Sequence, residues 1–209
     1  MGTFYNYGII EYAINYLQAS LKCAAYCALI LSIYTSYSND YSELLLSNDQ
    51  HRVLMDYFMQ RVRGCASPQL ENDNEGERFY SHTLIVLENL LKTTDSSLSS
   101  PFEEKKMEIY HLTLMLVERR LFLKATLGIL YECLFELNAT VTEGILPYVN
   151  QILGEVRTED NYLHNLFALI YIIIRRYKPV PLNFLDFYRV GVLSKKVQKP
   201  LLRIMELYV

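Results

Sequence analysis

The side chains best equipped for chemistry in this chain are four histidines, four cysteines and several carboxylate pairs. His51, His82, His111 and His164 fall in separate stretches, and no His-Glu-x-x-His pattern joins two of them on one helix turn. His51 follows a helix-start signal and reads as solvated. His82, His111 and His164 lie beside apolar stripes and read as structural groups. Cys23 and Cys27 stand four apart, a spacing that puts two sulfurs on one helix face. Zinc there would need two further ligands, and the sequence offers none nearby. Cys65 and Cys133 are remote, so free thiols are the expected state rather than a disulfide framework. Glu103/Glu104 and Glu159/Asp160 sit at helix starts, where the helix dipole already accounts for them. The glycines are scattered, with no phosphate-cradling loop and no Gly-x-Ser-x-Gly elbow. The expectation is a chain with no catalytic residue, no metal site and no cofactor, and therefore not an enzyme.

Charge is the stronger signal. The chain carries 20 Lys/Arg against 23 Asp/Glu, a net of −3. Residues 1–169 hold 12 basic and 21 acidic side chains, while residues 170–209 hold 8 and 2. The basic group is Arg175, Arg176, Lys178, Arg189, Lys195, Lys196, Lys199 and Arg203. It is the candidate partner-binding patch, because such asymmetry steers an acidic partner to one end and can also meet phosphates. The interleaved aromatics Tyr177, Phe184, Phe187 and Tyr188 fit a helical core pattern better than a base-stacking platform. A solvated charged rim is the plain alternative.

The elements that would position these residues are helices. Leu dominates the apolar set, and Gly (8) and Pro (6) are sparse. Apolar spacing predicts about nine helices. The first covers residues 3–19. The second covers 20–34 and stops in the Ser/Tyr/Asn stretch 35–40, with a short turn at 41–46. Ser47-Asn48-Asp49-Gln50 has the form of a capping box. It leads into a helix carrying Val53, Leu54, Tyr57, Phe58 and Val62, which ends at Gly64. A loop at 66–76 precedes a helix at 77–92 with a stripe of Tyr80, Leu84, Leu87 and Leu91; Glu88 and Asn89 lie off that stripe and read as solvated. A Ser-rich loop at 93–100 ends in Ser100-Pro101-Phe102-Glu103, an N-cap followed by Pro at the first helical position. That helix extends toward Arg119 and Arg120, and another, 121–137, follows with almost no break. Thr140 with Glu143 offers a cap, Pro147 restarts a helix over 146–156, and Thr158 or Asp160 caps an apolar helix through Tyr177. A short helix covers 182–190. The last begins at Ser194, with Pro200 either kinking it or delaying its start to Lys199. Its apolar residues Val197, Leu201, Leu202, Ile204, Met205, Leu207 and Tyr208 are expected to dock on the preceding helix.

The apolar runs at 23–34 and 166–174 fall short of the ~20 residues that a membrane span needs. Residues 1–7 have no basic region before an apolar run. These readings point to an intracellular chain, cytoplasmic or nuclear. The 209 residues suit one all-helical domain, or a segment of a longer helical array. Eighteen Tyr and no Trp suit groove walls and interfaces.

Two phrases carry a family resemblance. Gly144-Ile145-Leu146-Pro147-Tyr148-Val149-Asn150-Gln151-Ile152-Leu153 looks like the Leu-Pro start of a second repeat helix. Asn165-Leu166-Phe167-Ala168-Leu169-Ile170-Tyr171 looks like a buried repeat helix. From about residue 101 the chain resembles an armadillo or HEAT-type α-solenoid of stacked helical hairpins. A clean internal period of about 40–47 residues is not visible, so no binding residue carries over. The resemblance implies a scaffold that holds peptides or partner domains. The expected function is a non-catalytic protein-interaction module or scaffold subunit of a larger complex, with a protein partner. One alternative is a nucleic-acid-associated factor using the basic end. Another is a compact helical bundle of the Bcl-2 type that binds a partner helix, although the Asn-Trp-Gly-Arg motif of cellular members is missing.

Overall fold

The computed structural model describes residues 3–47, 56–57, 59–61, 63, 74–93, 101–136, 139–157, 160–176 and 183–207, with the backbone alone at 3–7, 44, 46–47, 101–104, 135–136, 139–143, 184, 191, 193 and 196. Among the described residues all regular structure is helical. Contacts divide the chain into two compact units, Met1–Leu112 and Thr113–Val209.

The first unit holds α1 (Thr3–Tyr16), α2 (Leu21–Tyr37), α3 (Asn39–Ser47), α4 (Asn74–Thr93) and the first part of α5 (Pro101–Glu118). Helix α1 buries Ile10, Ala13 and Leu17, which step by three and four. Helix α2 buries Ala24, Cys27, Ala28, Leu31, Ser32 and Thr35, and Ser20 caps it by accepting from the Cys23 N–H at 3.2 Å. Its main partner is α4; α1 packs on α2, and α3 packs on both α2 and α4. The expected α4 stripe of Tyr80, Leu84, Leu87 and Leu91 is buried, joined by Phe79, Val86 and Leu90. Tyr57 is buried too, and its hydroxyl donates to the Leu17 carbonyl at 2.5 Å, past the end of α1.

Several boundaries differ from the sequence expectation, each for a local reason. Helix α2 runs past Tyr34 to Tyr37, and α3 replaces the expected turn at 41–46, with Ser38 the extended residue between them. The hydroxyls of Thr35 and Ser36 donate back to the Leu31 and Ser32 carbonyls at 2.9 and 2.6 Å. Residues that often end a helix therefore satisfy themselves within it. Helix α4 starts at Asn74 rather than 77, with Glu75 and Glu77 in its first turn. Asn89 is half-buried rather than solvated; its amide donates to Thr35 Oγ1 at 3.1 Å and Ser36 Oγ at 2.9 Å, bridging α4 to α2. Glu88 is also half-buried and pairs with Lys92 at 2.6 Å. Ser47 closes α3; the rest of the expected capping box (48–50), His51, Val53, Leu54, Phe58, Val62, Gly64, Cys65 and most of both expected loops lie outside the described residues. Helix α5 begins at Pro101 as expected.

The second unit holds the end of α5, then α6 (Leu123–Glu136), α7 (Ala139–Glu155), α8 (Leu163–Arg176) and α9 (Phe184–Leu193), and after a 3-10 turn (Lys195–Val197) α10 (Gln198–Glu206). Helix α6 packs on α8 and α8 on α10, while α7 packs on α8 and α9. Helix α8 is the centre: Leu163, Leu166, Phe167, Leu169, Ile170 and the run Ile172–Ile174 are buried.

Two helices expected to meet near residue 120 with almost no break are separated by residues 119–122. Arg120 and Phe122 adopt left-handed backbone, with φ of 62° and 52°. The Leu121 N–H bonds the Leu116 carbonyl at 2.9 Å and the Arg120 N–H bonds that of Val117 at 3.0 Å. This is the Schellman pattern, with Arg at the position where Gly is usual, so composition gave no stop signal. The Arg120 guanidinium pairs with Glu155 at 2.8 Å. Helix α7 runs unbroken from Ala139, so Pro147 lies inside it instead of restarting it and Thr140 is already helical. Asp160 does not cap α8 through its side chain. Its carboxylate turns back to accept from the Arg157 N–H at 2.8 Å and the Tyr162 hydroxyl at 2.9 Å. Burial, then this bond to Asp160, pushes the Tyr162 hydroxyl up to about 12. Thr158 and Tyr177 lie outside the described residues. Helix α9 passes Val190 and Gly191 to reach Leu193. Pro200 sits in the first turn of α10, where its missing N–H would have no helical partner.

Candidate functional site

Among the described residues no group of three or more His, Cys, Asp and Glu side chains can hold a metal ion. Cys23, Cys27 and Cys133 are free thiols. Burial and then the neighbouring Cys23 push the Cys27 thiol up to about 11, which disfavours the thiolate that chemistry needs. His111 and His164 are exposed. His82 is half-buried between α4 and α2, its Nδ1 3.4 Å from Ser32 Oγ. Burial, then the Arg78 charge, lowers its pKa. Ser32 already donates to the Leu29 carbonyl at 2.8 Å, and is itself buried. The cluster of Ser32, Thr35, Ser36, His82 and Asn89 is thus a polar seam between two helices.

The basic end separates into two classes of residue. Arg176 donates to the Leu134 carbonyl at 2.6 Å, in the last turn of α6. Arg189 reaches the Leu153 and Gly154 carbonyls at 3.3 and 3.4 Å, in the last turn of α7, and pairs with Asp186 at 3.7 Å. Helix C-termini present unpaired carbonyls and a partial negative charge, so both arginines serve the fold. By contrast, Arg175, Lys195, Lys199 and Arg203 are exposed, with no hydrogen-bond or ion-pair partner among the described residues. Tyr131 on α6 relates two of them. Burial raises its pKa most, then Glu132 and Tyr171, while Arg175 and Arg203 pull it down; both guanidiniums therefore lie near one hydroxyl. Lys178 and the side chain of Lys196 lie outside the described residues.

Beside these cations the chain leaves apolar side chains bare. Leu185, Tyr188 and Val192 stand three and four apart on α9, exposed by 84%, 61% and 47%. In the 3-10 turn and α10, Val197, Leu201 and Ile204 are buried, but α10 packs chiefly on α8 rather than on the preceding helix; Leu202 and Met205 are exposed and Leu207, just past α10, is half-buried, and Tyr208 lies outside the described residues. Phe187 is core, stacked on Phe167 at 5.2 Å. Tyr188 is not, contrary to the core reading of that aromatic set; Tyr177 and the Phe184 side chain lie outside the described residues.

A second surface was not singled out from the sequence. Helices α1 and α2 expose Ile9, Tyr12 and Tyr16 on one and Tyr26, Ile33 and Tyr37 on the other. The spacings are three and four, then seven and four, so each set is one helix face. Tyr12 and Tyr16 stack at 4.2 Å. Tyr12 also lies close enough to Cys23 and Cys27 on α2 for both thiols to act on its hydroxyl. Four of the five exposed tyrosines among the described residues are on this hairpin. Charge is nearly absent: between Met1 and Asn39 only Glu11 and Lys22 are ionisable as Asp, Glu, Lys or Arg. That depletion was readable in the sequence, as a long stretch without charge beginning after Lys22. No helix among the described residues is long and apolar enough to cross a membrane. No protein-family model, no curated protein and no solved structure matches this chain.

Proposed function

We propose that the chain is a non-catalytic protein-interaction module, a scaffold-like subunit built of stacked helical hairpins in the armadillo/HEAT manner. One observation carries the reading: the α1–α2 hairpin exposes six large apolar side chains, four of them Tyr, on an almost uncharged surface. An apolar patch of this kind marks a contact site when it is contiguous and uncharged. Tyr supplies large contact area with few rotamers to freeze and keeps its hydroxyl for water or a hydrogen bond. The partner it fits is a protein presenting an equally uncharged, apolar face. A stacked architecture accords with the second unit, where α6, α8 and α10 pack in succession and α7 packs on both α8 and α9.

The test is a photo-cross-linking residue placed at Tyr26 or Tyr37 in cells. It should capture one defined protein. The combined change Tyr26→Ser, Ile33→Ser, Tyr37→Ser should weaken binding to that protein by about a hundredfold while helicity and the unfolding midpoint hold. Capture that survives the triple change, or membrane lipid as the captured species, refutes the reading.

A further inference from the structure

Some of the described charges are held in ion pairs. Arg63 pairs with Glu108, Lys105 with Asp56, Lys92 with Glu88 and Arg120 with Glu155. At the C-terminal end Arg175, Lys195, Lys199 and Arg203 are exposed, with no hydrogen-bond or ion-pair partner among the described residues, in a protein of net charge −3. Asp186 is already held by Asn183 at 2.6 Å and by Arg189; Glu206 is exposed on α10.

The same two short helices that carry these cations carry the unit's bare apolar side chains. Leu185, Tyr188 and Val192 form a single row along α9, about 10 Å long at 1.5 Å per residue. Leu202 and Met205 lie three apart on α10, beside Lys199 and Arg203. Bare apolar side chains and exposed cations on two helices that touch each other suit a ligand with an apolar stripe and carboxylates on its flanks. The row's spacing of three and four is the spacing with which one helix meets another.

We infer that the α9–α10 surface docks an acidic amphipathic helix of a partner protein, its apolar stripe on Leu185, Tyr188 and Val192 and its carboxylates on Lys195, Lys199, Arg203 and Arg175. The inference concerns a surface other than the tyrosine face and stands or falls without it. Phosphate recognition alone would leave Leu185 and Val192 unexplained. Arg176 and Arg189 contribute little, because helix carbonyls already hold them.

The experiment uses the whole chain and three designed peptides of about four helical turns. The first has Leu at i, i+3, i+4 and i+7 with Glu elsewhere. The second is a scramble of the same composition, and the third replaces Glu by Lys. Fluorescence anisotropy should show binding of the Glu peptide, at least about tenfold weaker binding of the scramble, and none of the Lys peptide. Leu185→Ser with Tyr188→Ser should weaken the Glu peptide by about tenfold or more; both side chains are so exposed that the fold survives their loss. Lys199→Ala with Arg203→Ala should do the same, and ionic strength near 1 M, where the Debye length is about 3 Å, should largely abolish the difference. Amide shifts of the labelled protein should cluster on α9 and α10. No binding of the Glu peptide, equal binding of the scramble, or indifference to the Leu185/Tyr188 change overturns the inference. So does binding of duplex RNA or phosphatidylserine vesicles in place of the peptide.

Discussion

Helices α2 and α8 carry similar apolar runs and meet different fates. Helix α8 packs against α6, α7 and α10, and eight of its 14 residues are buried. What it exposes is polar: His164, Arg175 and Arg176. Helix α2 has α4, α1 and α3 as neighbours, buries six of 17 residues, and leaves Tyr26, Ile33 and Tyr37 in water. A helix that is apolar all round belongs inside something. For α8 that something is its own unit. For α2 it is only partly so, and the remaining face is where a second molecule has the most to gain. The contrast also runs through the charges. The α1–α2 face is almost free of them, whereas α9, α10 and the turn between them carry Arg189, Lys195, Lys196, Lys199 and Arg203. If both surfaces bind, they select different partners.

The sharpest way to break this contrast is to truncate one side chain on each helix. Phe167→Ala removes a fully buried ring that also stacks on Phe187, and should lower unfolding stability by about 3–5 kcal/mol. Ile33→Ser or Tyr37→Ser should change it by no more than about 0.5 kcal/mol, because neither side chain leaves a cavity. Chemical denaturation followed by circular dichroism reads both. If Ile33→Ser is as damaging as Phe167→Ala, the α2 face is packed against the protein itself and is not a surface.

Why the sequence showed one helix's role and not the other's is a matter of what periodicity encodes. It reports that a residue is apolar, and burial depends on how many neighbours the fold supplies. The stripe on α4 was legible because Arg78, His82, Glu88 and Lys92 mark its polar side. Helix α2 has no such marks beyond Lys22, so its core face and its bare face look alike. The all-helical class was legible for the same reason the stripe was. The meeting of two helices near residue 120 was legible, but the geometry of the break was not, since Arg120 and Phe122 take the backbone conformation that usually calls for Gly. The basic end was legible as a cluster, but not its division: only the fold shows that Arg176 and Arg189 reach helix carbonyls while Arg175 and Arg203 reach none among the described residues.

The seam that fixes α2 on α4 offers a smaller test. Asn89 gives its amide hydrogens to Thr35 and Ser36, whose own hydrogens go to α2 carbonyls. Asn89→Ala removes two donors from a partly shielded site and should cost about 1–2 kcal/mol. Asn89→Asp should be at least as damaging, because a carboxylate accepts where an amide donated. If Asn89→Asp is tolerated as well as the parent, the two hydroxyls have turned round, and the seam does not specify how α2 sits.

The smallest effect expected is one of pH. His82 faces Ser32 across the same seam, and burial, then Arg78, lowers its pKa below the ordinary 6.5. The unfolded chain therefore binds a proton at a pH where the folded chain still resists one. Stability rises with pH wherever the unfolded state holds more protons. The contribution of a neutral His82 is thus complete above 6.5 and is lost as pH falls from there toward the lowered folded value. Urea midpoints of the parent should decline across that window, and His82→Gln, which keeps a polar group but cannot titrate, should flatten the decline. Hydrogen exchange adds the regional test: α2 amides around Ser32 should open faster on acidification than α8 amides around Phe167. Equal acceleration in both helices would mean that the proton acts on the protein as a whole and not on the α2–α4 seam.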